Sequence, residues 1–458
     1  MGITNELKRA TLKTAFHYLE KDPEKNVYKL MELVDKFAGE GPDSFPVQRA
    51  AFRTVLADPE NNMYQLIMSV LKDIDQGVLK AALENFFFNA SMIGWPKQEE
   101  NRKKYGCNIP WAILLDPTSA CNLHCTGCWA AEYGNKLNLT VEEIDSIIRQ
   151  GKELGIYMYI YTGGEPLVRK KDLIALCKKH HDCQFLSFTN ATLIDEEFAE
   201  EMLQVKNFIP AISVEGFELA TDGRRGNGTY QKVVKAMDIL KKKHLPFGIS
   251  CCYTSQNLDS ISSFEFADQM IKWGAKFVWY FHYMPVGNDA VPELLPTKEQ
   301  REFMYYRIRE IRNTKPIFAM DFQNDGEYVG GCIAGGRRYC HINANGDVDP
   351  CVFIHYSDSN IREKTLLECF QSPLFMEYHN GQPFNKNHLR PCPMLENPEL
   401  LRAMVHNTDA KSTDLQSPES VDHLCDKCVD YAENWTPTAE KLWTCSQNCK
   451  RKPFDKKQ

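Results

Sequence analysis

The chain has 458 residues, 43% hydrophobic and 25% charged, with 54 Lys and Arg against 61 Asp and Glu and a formal net charge of −7. That balance argues against general nucleic-acid binding, and the length exceeds the ~250–300 residues one core usually holds. No run approaches the ~20 apolar residues of a membrane helix, and no secretory signal opens the chain, so a cytoplasmic protein is expected.

Residues 1–105 read as a helical N-terminal domain. Leu12, Phe16 and Leu19 recur at helical spacing, as do Met63, Leu66, Ile67, Val70 and Leu71. Breaks fall at GEGPDSFP and ADPENN. The segment LENFFFNASMIGW reads as a buried helix, with rest against a membrane surface as the other reading.

Over residues 106–320 short apolar runs alternate with helices. Strands are expected at AILLD, YMYIY, FLSFT, AISVE, FGISCCY and FVWYF, with helices near 140–154, 171–180, 195–205, 229–243 and 262–273. Thr140 and Glu143 have the spacing of a capping box. Six strand–helix units in order predict an α/β fold, a partial (β/α)6 barrel with right-handed crossovers. Chemistry in such a fold sits on loops after the strands' C-terminal ends. CNLHCTGCW, TGGEP, NAT and EG follow strands one to four in that order.

Residues 321–400 hold GGCIAGGRRYCHINANGDVDPCVF and RPCPM, and residues 401–458 form a cysteine-rich C-terminal extension with CDKC and CSQNC. Seventeen cysteines in a reducing compartment point to metal or redox chemistry. Cys177, Cys183, Cys251 and Cys252 lie within element patterns and read as core.

Cys121, Cys125 and Cys128 are three potential ligands without a fourth nearby. Structural zinc sites close with four, whereas a [4Fe–4S] cluster can leave one iron open to an outside molecule; the triplet alone leaves zinc as the other reading. The C-x3-C-x2-C spacing resembles the motif of radical S-adenosylmethionine (SAM) enzymes, in which the open iron binds SAM. The resemblance implies reductive SAM cleavage to a 5′-deoxyadenosyl radical that removes hydrogen from a substrate. Gly163, Gly164 and Glu165 resemble the family's GGEP edge for the methionyl amine, and Asn190 its turn near the sugar. Ser213 and Glu215 resemble its ribose-contacting strand end, and Arg225 a candidate for the SAM carboxylate. The family usually places an aromatic residue before the third cysteine; here that residue is Gly127, with Trp129 following.

The 321–400 region is similar to the SPASM or twitch module that binds an auxiliary [4Fe–4S] cluster, with Cys332, Cys351 and Cys392 matching its pattern. The sequence itself proposes the fourth ligand. Asn345-Gly346 signals a two-residue hairpin; counted outward, Ala344 opposes Asp347 and Cys340 opposes Cys351 on one face. Cys340 as a packed strand residue, with Cys369 as substitute ligand, is the other reading. In the tail, Cys425, Cys428, Cys445 and Cys449 have the paired spacing of a metal site or further cluster, with zinc, a single iron or a cluster all open. The resemblance leaves the substrate as a peptide, a lipid or a small molecule, with peripheral membrane contact if it is a lipid. It implies an electron donor such as flavodoxin or ferredoxin. The alternative function is a non-catalytic iron–sulfur electron carrier or redox sensor.

Overall fold

The structure, a computed structural model, describes residues 23–38 and 46–451. The periodicity at Leu12, Phe16 and Leu19 and most of the break GEGPDSFP lie outside these residues.

Helices Asn62–Asp73, Gln76–Ala82 and Trp95–Tyr105, with a π-helical segment Leu83–Gly94, cover the N-terminal face of the barrel. The first two start where Asn61 and Asp75 side chains accept backbone N–H groups of the opening turn. Buried amides then join them to the barrel. Asn85 donates to the carbonyls of His181 and Cys183 at 2.9 and 3.1 Å, Asn89 to Asp182, Gln98 to Gly155 and Asn101 to Leu154. Carbonyls at the ends of helices have no intrahelical partner, and these side chains supply one.

Strands β1 (Ala112–Leu115), β2 (Met158–Tyr161), β3 (Gln184–Thr189), β4 (Phe208–Ser213), β5 (Gly248–Tyr253) and β6 (Phe277–His282) follow the sequence expectation. All are parallel and adjacent in chain order, and β7 (Phe318–Asp321) continues the sheet beyond β6. β8 (Tyr339–Ile342) returns to pair parallel with β1, then turns into the antiparallel β9 (Val348–Asp349). The sheet therefore stays open between β7 and the β8–β9 edge. The cysteine-bearing region 321–400 thus contributes a strand to the same sheet as the barrel. Side chains alternate along each strand. Ile113, Leu115, Tyr159, Tyr161 and Phe185 meet the surrounding helices, while Leu114, Met158, Ile160 and Leu186 face the interior.

The β8–β9 hairpin corrects the expected register. His341 pairs with Asp349 and Ile342 with Val348, so Tyr339, not Cys340, lies across from Cys351. The loop holds three residues, Ala344 to Gly346: the Gly346 N–H donates to the Asn343 carbonyl, the Asn343 N–H to the Asp347 carbonyl, and Gly346 has φ +87°. This is the turn-plus-bulge form of hairpin rather than the two-residue form. One residue of slip turns every side chain over. Cys340 accordingly packs with Cys369 in the outer core, away from Cys351.

The tail pairing is corrected too. Cys425, Cys428 and Cys445 lie on a single helix, Val421–Arg451, in which Cys445 stands roughly 25 Å along the axis from Cys428 at 1.5 Å per residue. Cys425 and Cys428 are buried and Cys445 is exposed; Cys449 lies on the same helix, its side chain outside the described residues. These cysteines do not converge on one metal.

Candidate functional site

The loop after β1 is held by the loop after β2. A Cβ on Gly163 would lie 2.7 Å from the Thr118 carbonyl oxygen, and one on Gly164 2.2 Å from that of Ala120. Without side chains there, the Gly164 N–H donates to Thr118 O at 3.1 Å and the Glu165 N–H to Ala120 O at 2.8 Å. The buried Glu165 carboxylate then accepts from Leu167 N–H (3.0 Å), the Thr189 hydroxyl (2.6 Å) and Asn190 N–H (2.7 Å). Burial raises this carboxyl above its ordinary range, against the pull of those bonds. Asn190 Nδ2 donates to Asn122 Oδ1 at 2.8 Å, so the loops after β1, β2 and β3 form one bonded unit.

Cys121, Cys125 and Cys128 stand on this unit around the upper end of a cavity of about 1050 Å³ inside the barrel. Gly163, Gly164, Glu165, Asn190, Ser213 and Arg225 line it with them. Among the described residues, no three His, Cys, Asp or Glu side chains stand close enough to share a single ion. A four-iron cluster differs from one ion because its iron–sulfide core separates the thiolates. Three thiols spread around a cavity would suit that group.

Glu215 departs from expectation. It is absent from the cavity lining and fully buried. One oxygen accepts from Arg224 Nη1 and Arg225 Nε at 2.8 Å each, and the other from the Cys252 N–H at 3.2 Å. Burial would raise its carboxyl, but the Arg224 and Arg225 guanidinia outweigh that and hold it below the ordinary range. Its partners therefore reach the cavity in its place: Arg225 Nη1 lies 4.0 Å from Cys125 Sγ, and Arg224 clasps Thr126 of the cysteine loop through backbone and side chain. Cys252, expected in the core, lines the cavity instead.

Gly127, where the family usually has an aromatic residue, takes φ +63°. A Cβ there would come within 2.8 Å of the Tyr283 ring and hydroxyl, so an aromatic from the end of β6 occupies that space. No sequence signal distinguished Tyr283. Trp129 rests edge-on against His341 and His355, at 5.9 Å each. His341 lies buried between Asp116 (3.0 Å) and Asp349 (3.1 Å); burial would lower its pKa, but the two carboxylates push it up to about 10.

A second thiol group, Cys332, Cys351 and Cys392, forms in the interior apolar cluster, to which Cys425 and Cys428 of the C-terminal helix also belong. Cys351 Sγ meets the Tyr339 hydroxyl at 2.8 Å and accepts from the Phe353 N–H at 3.5 Å; Cys392 Sγ accepts from Met394 and Leu395 N–H, both at 3.4 Å. Such bonds to sulfur suit cluster-ligating thiolates. Behind Cys392, whose N–H donates to Glu396 at 2.8 Å, Glu396 pairs with the fully buried Arg301 at 2.7 Å. Arg301 stacks on Trp435 and reaches Tyr431 of the C-terminal helix, which fixes that helix beside the thiols.

Family models match two segments: the radical SAM superfamily over residues 115–266 and an iron–sulfur cluster-binding (SPASM) domain over residues 332–394. An AdoMet-dependent heme synthase of Methanosarcina barkeri is 26% identical, covering 58% of this chain and 83% of its own. A PqqA peptide cyclase of Granulibacter bethesdensis is also 26% identical, covering 59% of this chain and 76% of its own. The crystal structure of Streptococcus suis SuiB bound to S-adenosylmethionine superposes with a TM-score of 0.56 at 20% identity, over 71% of this chain and 80% of SuiB, a likeness of fold.

Proposed function

We propose that this chain, a radical SAM enzyme with a SPASM-type iron–sulfur module, holds its SAM-binding [4Fe–4S] cluster on Cys121, Cys125 and Cys128. The supporting observation is that these three thiols ring the upper end of a cavity whose rim carries the glycine edge, Asn190 and Ser213. With cluster and SAM bound, the cofactors supply a 5′-deoxyadenosyl radical that takes a hydrogen atom from a substrate carbon.

The chain's own residues position and exclude. Gly163 and Gly164 let the loop after β2 press against the cysteine loop and present their remaining cavity-lining backbone to the methionyl end of SAM, while the Glu165 carboxylate, its oxygens already engaged, locks the loops together. Glu215 works from behind, holding Arg225 so that its free edge meets an anionic group of SAM beside Cys125. Tyr283 fills the space against Gly127 and keeps water from the cysteine loop. The auxiliary cluster takes Cys332, Cys351 and Cys392, with its fourth thiol from the C-terminal helix, at Cys425 or Cys428. A small carrier such as flavodoxin or ferredoxin delivers the reducing electron.

The named activities of the relatives, a heme synthase and a peptide cyclase, are catalytic, and a non-catalytic electron carrier has no use for a cluster face open to a cavity. No described helix is long and apolar enough to cross a membrane. The test is anaerobic reconstitution followed by SAM and dithionite. Formation of 5′-deoxyadenosine is expected, and Cys125→Ala abolishes it. Intact clusters without any 5′-deoxyadenosine would sink the enzyme reading.

A further inference from the structure

The cavity does not stop below the cysteine loop. It descends past Leu114, Ile160 and Leu186 on the strands and ends against Leu66, Leu79 and Leu83 of the helices beneath. Charged side chains reaching its sides or floor have partners of their own. Lys276 pairs with Asp73 at 2.6 Å, and Asp321 accepts from Asn324 N–H and Nδ2 at 3.2 and 2.8 Å. The amides and carbonyls of β1 to β6 are committed to their neighbours in the sheet, and the outer edge of β7 is left without a strand partner among the described residues.

Away from that edge, a peptide main chain threaded into this depth would meet few polar groups for its amides, Gln184 and Ser250 among them. Each amide left unpaired opposes burial, so such a chain would lose much of what the apolar walls contribute. A multiply anionic ring fares no better at this depth, because Lys276 is held by Asp73, Arg338 lies over Trp95 beside Glu99, and the free edge of Arg225 belongs to the SAM end of the cavity. A linear hydrocarbon chain has neither difficulty.

The lower end also opens where such a chain would enter. Phe86, Phe87, Phe318 and Val329 line the cavity there yet remain 46%, 42%, 49% and 44% exposed. Apolar residues grouped at the surface in this way mark binding openings. Phe318 begins β7, Phe86 and Phe87 stand on the floor segment Leu83–Gly94, and Val329 ends the helix Gly326–Val329 that follows β7, beside the side of the barrel that the sheet leaves open.

We infer that the barrel is a through-passage for a linear hydrocarbon chain, acyl or prenyl, lying along Leu186 with its reacting carbon presented upward to the cysteine loop. The inference rests on the enzyme reading above for its chemistry but not for its binding, which needs neither cluster nor SAM.

Two measurements on the full-length chain separate these. First, cis-parinaric acid fluorescence should rise saturably on binding and fall when palmitic acid competes. Leu186→Trp, which fills the passage at mid-height, should weaken binding by roughly tenfold or more. Should that variant not fold, Phe87→Asp at the exposed lower opening should weaken it severalfold. Absence of saturable binding, or equal affinity in a folded Leu186→Trp chain, would overturn the inference.

Second, the reconstituted enzyme is given SAM and dithionite with deuterated palmitic acid, with vesicles of acyl-deuterated phosphatidylcholine, or with a deuterated leucine-rich peptide. A C–D bond breaks and the deuterium joins the 5′ carbon, so labelled 5′-deoxyadenosine reports the donor. Label from the free acid or from the vesicles supports the inference and identifies the source. Label from the peptide alone overturns it. Failure to form any 5′-deoxyadenosine counts against the enzyme reading, while parinaric acid binding still decides the passage.

Discussion

The two thiol groups of this protein are built in opposite ways. Cys121 is exposed and Cys125 and Cys128 are half-buried, on a loop that faces open volume. Cys351, Cys425 and Cys428 are buried, with Cys332 and Cys392 half-buried, inside an apolar cluster where backbone N–H groups aim at sulfur. The first arrangement leaves a face for something from outside; the second closes on itself. Cysteine number alone would not separate them, since what differs is the surroundings: loop and cavity in one, strand, helix and apolar packing in the other.

The largest effect expected is at the open group. Cys125→Ala should lower 5′-deoxyadenosine formation by roughly a thousandfold or more, since the cofactor carries the chemistry. Cys351→Ala should remove only the auxiliary half of the iron, about four atoms per chain, as read by iron analysis and electron paramagnetic resonance. If both variants lose SAM cleavage equally, the two groups are not independent and the contrast fails.

Glu215→Ala comes next. Removing one partner of a buried ion pair costs ~3–5 kcal/mol, measured by chemical denaturation of the apo-chain. The pH dependence has a fixed sign. Because the folded-state pKa of Glu215 is depressed, its contribution is present above the unfolded carboxylate value near ~4.3 and is lost as pH falls through the folded value. Wild type should therefore lose stability more steeply than Glu215→Gln on acidification below that point.

Two glycine substitutions sharpen the account of the loops. Gly164→Ala forces a methyl toward carbonyls at 2.2 and 2.5 Å and should cost ~1–3 kcal/mol, with loss of SAM binding as the Cys121 loop shifts. Gly223→Ala, in the helix Glu218–Arg225 with no atom within 4 Å, should stabilise by ~0.5–1 kcal/mol. Smallest of all, Cys340→Ala should leave iron content unchanged, because the hairpin turns that side chain away from Cys351. Loss of iron there would restore the two-residue register.

Six strands are legible in the sequence because each is an apolar run between turn residues. β7 is not, because the run Phe318-Ala319-Met320 is too short to stand out. Asn345-Gly346 fits a two-residue loop on composition, but a glycine with positive φ serves a three-residue loop equally well, and only the paired strands distinguish the two. The tail cysteines misled for a related reason: spacings of three and four are metal-ligand spacings and also one face of a helix. The motif order points Glu215 toward the cofactor, and nothing in it signals that Arg224 and Arg225 fold back onto that carboxylate. Gly163 and Gly164 carried their own explanation, since adjacent glycines signal close backbone approach, although what approaches proved to be the cysteine loop as well as the cavity.

The pairing of β8 with β1 has one more consequence. Ala112 lies beside Tyr339, which faces Cys351, while the other thiols follow the opposite end of β1. The two regions also touch directly, since Trp129, next to Cys128, lies 6.1 Å from the Phe353 ring and the Phe353 N–H reaches Cys351 Sγ. Sheet and aromatic contact therefore brace the cysteine loop against the second thiol group by bonded and packed structure rather than by a hinge.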